Sequence, residues 1–184
     1  MKKNFIAFLI FTTFLTGCGK TTDGIKKEYY KNGKVKTETT YKNGKKEGIY
    51  RSFYENGNLH EEYIYKNDKF EGICKVYFDG GQLKGEVNYK LGKREGVAKT
   101  YYKSGKLQVE GSFENDKQEG VFRKYFEKGN LEAEITYENG KEEGEIKTYF
   151  ENGQLKAVGN SHNGKIDEIY SEYDESGRLI EETE

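Results

Sequence analysis

Residues 125–148 read YFEKGNLEAEITYENGKEEGEIKT, and the pattern starts again at residue 149 as YFENGQL. The same spacing of 24 residues runs from Tyr29 towards the end of the chain without a gap or an insertion. One row of aromatic residues marks it: Tyr29, Phe53, Tyr77, Tyr101, Tyr125, Tyr149 and Tyr173. A glycine, an aliphatic residue and a Glu-Gly pair recur at the same spacing. This regularity predicts an array of six full units and a partial seventh.

Each unit carries two turn signals separated by runs of strand-forming residues. One signal is Asn56-Gly57 and its equivalents, and the other is Asn43-Gly44 or, in the next unit, Asn67-Asp68. These residue types tolerate the positive φ that tight hairpin turns require. The runs between the signals are rich in Tyr, Phe, Ile, Val and Thr, and the chain has no proline, which would remove a ladder donor. Each unit is therefore predicted to consist of two short β-strands.

A two-residue turn at Asn56-Gly57 predicts a definite strand register. One face would pair Tyr54 with Leu59, Ser52 with Glu61, and Tyr50 with Tyr63. The other face would pair Phe53 with His60, Arg51 with Glu62, and Ile49 with Ile64. The Arg51–Glu62 pair recurs in other units as Lys27–Glu38, Lys75–Glu86, Lys99–Glu110 and Arg123–Glu134. Exposed pairs of this kind contribute only about 0.2–1 kcal/mol each, so the ladder specifies the register more than it stabilises the sheet.

The two faces of the predicted sheet differ in polarity. The core face holds mostly apolar or small residues, among them Phe78, Leu83, Cys74, Val87, Tyr102, Leu107, Ala98, Gly111, Phe126, Leu131, Phe122 and Ile135. Cys74 is expected there as a small buried hydrophobe. The opposite, ion-pair face carries the charge ladder and the tyrosine row.

Four tyrosines on the ion-pair face are candidate partner-binding residues: Tyr77, Tyr101, Tyr125 and Tyr149. Their rings are predicted to stand about 10 Å apart, since each unit adds two strands. Tyrosine combines a large apolar ring with a polar tip and is enriched at interfaces. Such a row could hold an extended polypeptide or glycan. The competing interpretation is that the rings only pack against neighbouring strands.

The amino terminus has the features of a bacterial lipoprotein signal. Lys2 and Lys3 precede a mostly apolar stretch over residues 5–15, which is too short to span a membrane. Leu15-Thr16-Gly17-Cys18 looks like a lipobox, in which Cys18 would receive the lipid after removal of residues 1–17. Residues 18–28 are then interpreted as the lipidated cysteine and a polar tether, and residues 29–184 as the repeat array. Two or more acyl chains would anchor the protein stably.

Charge and composition exclude several classes of function. The chain has 31 basic and 32 acidic side chains, and loss of Lys2 and Lys3 with the signal peptide takes the net charge from −1 to −3. A nucleic-acid binder would show a basic excess. The two histidines, His60 and His162, would stand on the order of 40 Å apart in such an array, too far for a shared metal site or catalytic dyad. The sequence predicts no catalytic residues, no metal and no cofactor.

The signature Y-F-E-N-G-x-L, followed by an aromatic-x-N-G-K and by E-G, resembles MORN repeats. It is most similar to the bacterial variant found in the YwqK-type antitoxin family, and the resemblance covers residues 29–184. It implies an all-β fold, an elongated single-layer twisted antiparallel sheet of tandem hairpins. Eukaryotic relatives are associated with membranes, phosphoinositides or protein partners. The last units depart from the pattern at Ser161 and Glu168, as expected of a terminal cap.

These observations favour a non-enzymatic, protein-binding repeat scaffold anchored to the bacterial cell envelope, at the outer membrane or the cell surface. Its partner would be another protein or an extended polymer, in addition to the membrane that holds the lipid. The alternative is an antitoxin or immunity protein that neutralises a toxin by tight binding. Lipidation would place such a protein outside the cytoplasm, away from a typical toxin target. Headgroup binding by lysine-rich turns is a third hypothesis, disfavoured by the balanced charge.

Overall fold

The computed structural model describes residues 23–182, which form one open antiparallel sheet of 15 strands. The strands are β1 (Gly24–Tyr29), β2 (Val35–Lys42), β3 (Lys45–Phe53), β4 (Leu59–Lys66), β5 (Lys69–Phe70), β6 (Gly72–Tyr77), β7 (Leu83–Lys90), β8 (Lys93–Tyr101), β9 (Leu107–Glu114), β10 (Lys117–Tyr125), β11 (Leu131–Glu138), β12 (Lys141–Tyr149), β13 (Leu155–His162), β14 (Lys165–Tyr173) and β15 (Leu179–Glu182). Across this range no helix is long and apolar enough to cross a membrane.

Successive strands pair along the whole array, so the fold is a run of hairpins in chain order. The short β5 lies off this path and pairs only with β4. Together β5 and β6 occupy the position that one continuous strand, such as β8, fills in other units, with the interruption at Glu71. The all-β, single-sheet architecture predicted from the repeat is confirmed.

The sheet begins at Gly24, inside the segment that the sequence interpretation assigned to the tether. Residues 24–27 occupy the same repeat positions as Gly48, Ile49, Tyr50 and Arg51, and Lys27 pairs with Glu38 as Arg51 pairs with Glu62. Strand β1 corresponds to the second part of β3 and pairs with the complete strand β2. It can therefore form a full set of ladder contacts although the aromatic row starts only at Tyr29.

One edge of the sheet consists of two-residue turns, and we call it the tight-turn edge. Its turns are Asn43-Gly44, Asn67-Asp68, Leu91-Gly92, Asn115-Asp116, Asn139-Gly140 and Asn163-Gly164, and every one of these residues has a positive φ. Positive φ at both central positions defines the type I′ turn, whose twist matches that of the flanking strands. The prediction made from Asn43-Gly44 is confirmed for this edge.

The opposite edge, which we call the loop edge, was predicted wrongly in detail. Its loops have three residues, at 31–33, 55–57, 79–81, 103–105, 127–129, 151–153 and 175–177. The Tyr54 N–H donates to the Asn58 carbonyl at 2.8 Å, the Gly57 N–H donates to the Tyr54 carbonyl at 2.8 Å, and only Gly57 in the loop has a positive φ. This is the three-residue hairpin loop ending in a left-handed glycine, not a two-residue turn.

The longer loop changes the pairing beside it. Phe53 pairs with Leu59, so the predicted Tyr54–Leu59 and Phe53–His60 pairs are wrong. An extra residue in β4, His60, forms a bulge that restores the expected register beyond it. From there the predicted pairs are confirmed: Ser52–Glu61, Arg51–Glu62, Tyr50–Tyr63 and Ile49–Ile64.

The charge ladder lies in the predicted register. All five pairs face each other across hairpins: Lys27–Glu38, Arg51–Glu62, Lys75–Glu86, Lys99–Glu110 and Arg123–Glu134. Three of them make direct ion pairs, at 2.7 Å for Lys27–Glu38, 2.7 Å for Arg51–Glu62 and 2.8 Å for Arg123–Glu134. The ladder therefore marks one face of the sheet over five units.

The core face is only partly shielded, because a single sheet has no second layer to cover it. Among the described residues the buried hydrophobic side chains are Cys74, at 3% exposure, and Ala133, at 9%. The large core-face side chains, such as Tyr63 and Phe122, are half-buried against their neighbours. Leu107, predicted on this face, pairs instead with Tyr101 of the tyrosine row. On the ion-pair face the aliphatic residues at the repeat position of Ile49 are exposed, as Val97 is at 55%.

Candidate functional site: a repeated binding surface

The Glu-Gly pair late in each unit forms a β-bulge on the tight-turn edge. The register between β2 and β3 shifts between Thr39 and Tyr41, where Glu47 and Gly48 lie opposite. Gly48 has φ of +104°, a conformation open to glycine and strained for other residues. The same glycine conformation recurs at Gly72, Gly96, Gly120 and Gly144. Glycine at this position therefore allows the bend in these five units, whereas Glu168 stands there in the last one.

The glutamate of each bulge reaches the turn of the following unit. The Glu47 carboxylate accepts a hydrogen bond from the Asn67 N–H at 2.7 Å. The same bond, 20 residues apart, occurs at four further junctions: Glu71 to Leu91, Glu95 to Asn115, Glu119 to Asn139 and Glu143 to Asn163. Sequence reasoning noted the Glu-Gly pair but gave it no role. The constant distance from each glutamate to the next turn was the signal for it.

The four rings of the candidate tyrosine row are half-buried. Three of the hydroxyls donate to ladder glutamates of the preceding unit: Tyr101 to Glu86 at 3.0 Å, Tyr125 to Glu110 at 2.8 Å, and Tyr149 to Glu134 at 3.1 Å. Burial, and then the bond to the glutamate, raises the pKa of each of these hydroxyls. The polar tips are thus engaged within the sheet, and the ring faces are what a partner could touch.

The loop edge is joined from unit to unit by a second row of tyrosines. The hydroxyls of Tyr30, Tyr54 and Tyr102 donate to the carbonyls of Phe53, Tyr77 and Tyr125 at 2.6, 2.8 and 2.7 Å. Phenylalanine stands at this repeat position in Phe78, Phe126 and Phe150, which have no hydroxyl to donate. Coupling at this edge therefore varies from unit to unit.

The core face carries two groups of packed rings. The first comprises Tyr50, Tyr63, Tyr65, Phe70 and Tyr89, with neighbouring ring centroids between 4.8 and 6.1 Å apart. The second comprises Phe113, Phe122 and Tyr137, with centroids 5.7 and 4.9 Å apart. Half-buried aromatic rings on an open face are typical anchors for a protein partner.

The remaining candidate positions have simple surroundings. Cys74 is a free, buried thiol on the core face, as predicted, and burial raises its pKa to about 11. No group of three or more His, Cys, Asp or Glu side chains within residues 23–182 could hold a metal ion. Cys18, the predicted lipidation site, lies outside the described residues.

The family of the chain follows from the repeat. A model of the MORN repeat variant matches six segments, at residues 22–43, 46–67, 70–91, 94–115, 118–139 and 142–163. The chain belongs to the MORN repeat variant family. Each MORN segment starts 24 residues after the previous one, the spacing of the aromatic row. Curated proteins offer no match to the chain.

The MORN segments coincide with the recurring features of the fold. Each segment from the second onward begins just before a bulge glutamate and ends at the turn that the glutamate contacts, as Glu47 and Asn67 do in the segment at residues 46–67. The unit matched by the family is therefore also the unit closed by this bond. Repeat arrays that contact only their neighbours present long continuous surfaces, which suits a scaffold for binding.

Proposed function

We propose that this protein is a non-enzymatic, protein-binding MORN-repeat scaffold, held at the bacterial cell envelope by lipidation of Cys18. The observation that carries the binding role is the repetition of the same surface from unit to unit. The tyrosines on the ion-pair face and the ring groups on the core face recur along 14 hydrogen-bonded strands in one path. A surface of this kind suits an extended partner, because each unit can contribute an equivalent contact.

The anchoring part of the proposal rests on the sequence before the sheet. The Leu15-Thr16-Gly17-Cys18 motif follows a basic start and an apolar stretch. Strand β1 begins at Gly24, so cleavage before Cys18 would leave five residues between the lipidated cysteine and the sheet. Such a short linker would hold the array close to the membrane surface.

Capture of partners from envelope extracts tests the binding role. The bait is the chain with Cys18→Ser, immobilised through its carboxyl terminus, and the control bait carries in addition Tyr101→Ala and Tyr125→Ala. We expect specific proteins on the first bait and at least a tenfold loss on the second, with the thermal midpoint of the control nearly unchanged. Equal capture by both baits would show that the tyrosine row does not contact the partner. The absence of specific capture by either bait would contradict the scaffold role.

A conservative pair of variants separates binding from packing in that row. Tyr101→Phe with Tyr125→Phe keeps both rings and removes only the hydroxyl bonds to Glu86 and Glu110, respectively. Phe53 already occupies this row, so the change fits the fold. We expect the phenylalanine pair to retain capture and the alanine pair to lose it. Loss of stability in both pairs would show that the row is structural.

Mass spectrometry of the mature amino terminus tests the anchor. We expect a diacylglycerol-modified Cys18 as the first residue and recovery of the protein in the membrane fraction. Cys18→Ser should move the protein to the soluble fraction without changing its circular dichroism spectrum, since the described sheet begins at Gly24. An unmodified Cys18 would contradict the anchoring proposal and leave the binding proposal standing. A single, very tight partner in the capture experiment would instead favour an immunity protein.

A further inference from the structure

One repeat position on the core face changes size along the array. Two residues after each bulge glycine the chain has Tyr50, Cys74, Ala98, Phe122 and Ile146. Large side chains therefore stand on both sides of two consecutive small ones. Because the backbone register is the same in these units, the two small residues leave space where Tyr50 and Phe122 place a ring.

A pocket of 330 Å³ opens at this place on the core face. Its lining includes Tyr63, Phe70, Cys74, Tyr89, Ala98 and Phe113. Phe70 and Tyr89 belong to the first ring group of the core face, and Phe113 belongs to the second. The pocket thus separates the two ring groups, and its size is within the range of small-ligand sites.

The neighbouring units show what fits this kind of space. In the next unit the Phe122 ring covers Gly111, where an added Cβ would lie 2.4 Å from the ring. Phe122 also packs edge-on against Phe113, with ring centroids 5.7 Å apart. In an earlier unit the Tyr50 ring stacks on Tyr63 at 5.6 Å and 12°. At Ala98 the chain has only a methyl group where these units have a ring.

The wall of the pocket is already arranged for a ring. The Arg94 guanidinium lies 4.2 Å from the centroid of Phe113 and is held by the Asp116 carboxylate and carbonyl, at 3.3 and 2.8 Å. The Arg94 guanidinium therefore holds one side of the Phe113 ring in place. The rest of the ring lines the pocket and packs against Phe122. A fixed aromatic wall lowers the entropy cost of binding a second ring.

We propose that the pocket at Ala98 binds an aromatic side chain of the partner polypeptide, which takes the place of the ring that this unit lacks. The proposal rests on the binding-scaffold function and assigns one anchor point to it. A side chain is the occupant that fits best, because the pocket is open along a sheet face on which half-buried rings continue in both directions. A partner backbone can lie along that face while one ring enters the pocket.

The test uses a tryptophan probe, because the chain has no tryptophan of its own. The probe is the capped pentapeptide Gly-Gly-Trp-Gly-Gly, and its emission is followed as the Cys18→Ser chain is added. We expect a blue shift that saturates, with a dissociation constant of about 1 mM or below for a single anchored ring. A capped glycine-only peptide is added as a competitor in a parallel titration and should not change the emission of the probe.

Three variants assign the site. Ala98→Phe supplies the ring that Phe122 provides in the next unit and should weaken probe binding at least tenfold. Phe113→Ala removes a wall and should also weaken it at least tenfold. Val97→Phe adds the same ring at the adjacent residue on the opposite face, where Val97 is 55% exposed, and should leave binding unchanged. Thermal midpoints of all three confirm that the sheet is folded.

The outcomes separate this proposal from the scaffold function. No saturable blue shift, or equal binding by wild type and Ala98→Phe, would overturn the pocket proposal. Tighter binding of free indole than of the pentapeptide would also overturn it and indicate a small-molecule site. Partner capture that is lost in Ala98→Phe and kept in Val97→Phe would support it. Capture unaffected by Ala98→Phe would leave the scaffold function intact and reject this anchor.

Discussion

The two edges of the sheet join successive units by different means. At the tight-turn edge a glutamate carboxylate accepts from the next turn at five successive junctions. At the loop edge one link is a tyrosine hydroxyl, which Phe78, Phe126 and Phe150 cannot provide, and another is a loop asparagine amide that donates to the backbone of the next loop, as Asn152 does to the Glu175 carbonyl. Hydrogen bonds to ionised acceptors are roughly twice as strong as those between neutral groups. The carboxylate link of the tight-turn edge is therefore expected to couple successive units more strongly than the hydroxyl link of the loop edge.

The largest effect is expected at a bulge glycine of the tight-turn edge. Gly120 has φ of +77° and open space around an added Cβ, so substitution there strains only the backbone. Gly120→Val should cost about 1–3 kcal/mol of unfolding free energy, measured by urea denaturation. Gly120→Asn, which tolerates this region better, should cost clearly less. Equal losses in the two variants would mean that the bulge conformation is not what the repeat requires.

A smaller effect is expected from the glutamate of the same bulge. Glu119→Ala removes the acceptor of the Asn139 N–H and should cost about 1–2 kcal/mol in the same measurement. Glu127→Ala, an exposed glutamate on the loop edge, serves as the control and should change stability by less than about 0.5 kcal/mol. Similar losses of unfolding free energy in Glu119→Ala and Glu127→Ala would show that the glutamate link gives the tight-turn edge no special stability.

The hydroxyl link of the loop edge should matter less still. Tyr102→Phe removes the bond to the Tyr125 carbonyl and should cost about 0.5–1 kcal/mol. The converse change, Phe126→Tyr, places a hydroxyl at the equivalent position and should raise the thermal midpoint slightly. A loss from Tyr102→Phe as large as that from Glu119→Ala would contradict the ranking of the edges.

The smallest effect is a dependence on pH that the glutamate links of the tight-turn edge should show. The Asn163 N–H, and then the His162 side chain, lower the pKa of Glu143 below its usual value of 4.5. Its contribution to stability is therefore complete above the unfolded pKa and is lost as the pH falls through the folded one. Thermal melts between pH 7 and about pH 3 should show a shallower decline for Glu143→Gln than for wild type. Parallel declines would show that this carboxylate does not couple to folding.

Much of the fold was predictable because the repeat gives the same information many times. Five opposite-charge pairs in one register exclude a slipped pairing, and the Arg51–Glu62 register was confirmed. The Asn43-Gly44 turn was also predictable, since positive φ at both positions leaves few alternatives. The Asn56-Gly57 loop was not, because the same dipeptide also fits the last two positions of a three-residue loop, and only the pairing of Tyr54 with Asn58 distinguishes them.

The candidate site was predictable in part for a related reason. The ion-pair face could be assigned from alternation along each strand, which placed Tyr101 correctly beside the ladder. Its hydroxyl bond to Glu86 could not be, because it joins side chains that lie diagonally across β7 and β8, and alternation along one strand does not specify such a contact. The pocket was missed because Ala98 fits the core-face pattern as an ordinary small residue. The space beside Ala98 can be recognised as a pocket only when Phe113 and Tyr89, which lie on other strands, are placed around it.

The sequence by itself determined the period, the strands, the identity of each face and the register beyond the loops, because local turn chemistry and side-chain alternation act within one unit of 24 residues. Only the tertiary structure decided how each unit contacts the next. The glutamate bond across 20 residues, the tyrosine bonds across 23 and 15, and the space left at Ala98 all depend on strands standing side by side in the sheet. Their spacing recurs along the sequence, but the partners are brought together only when the array has formed.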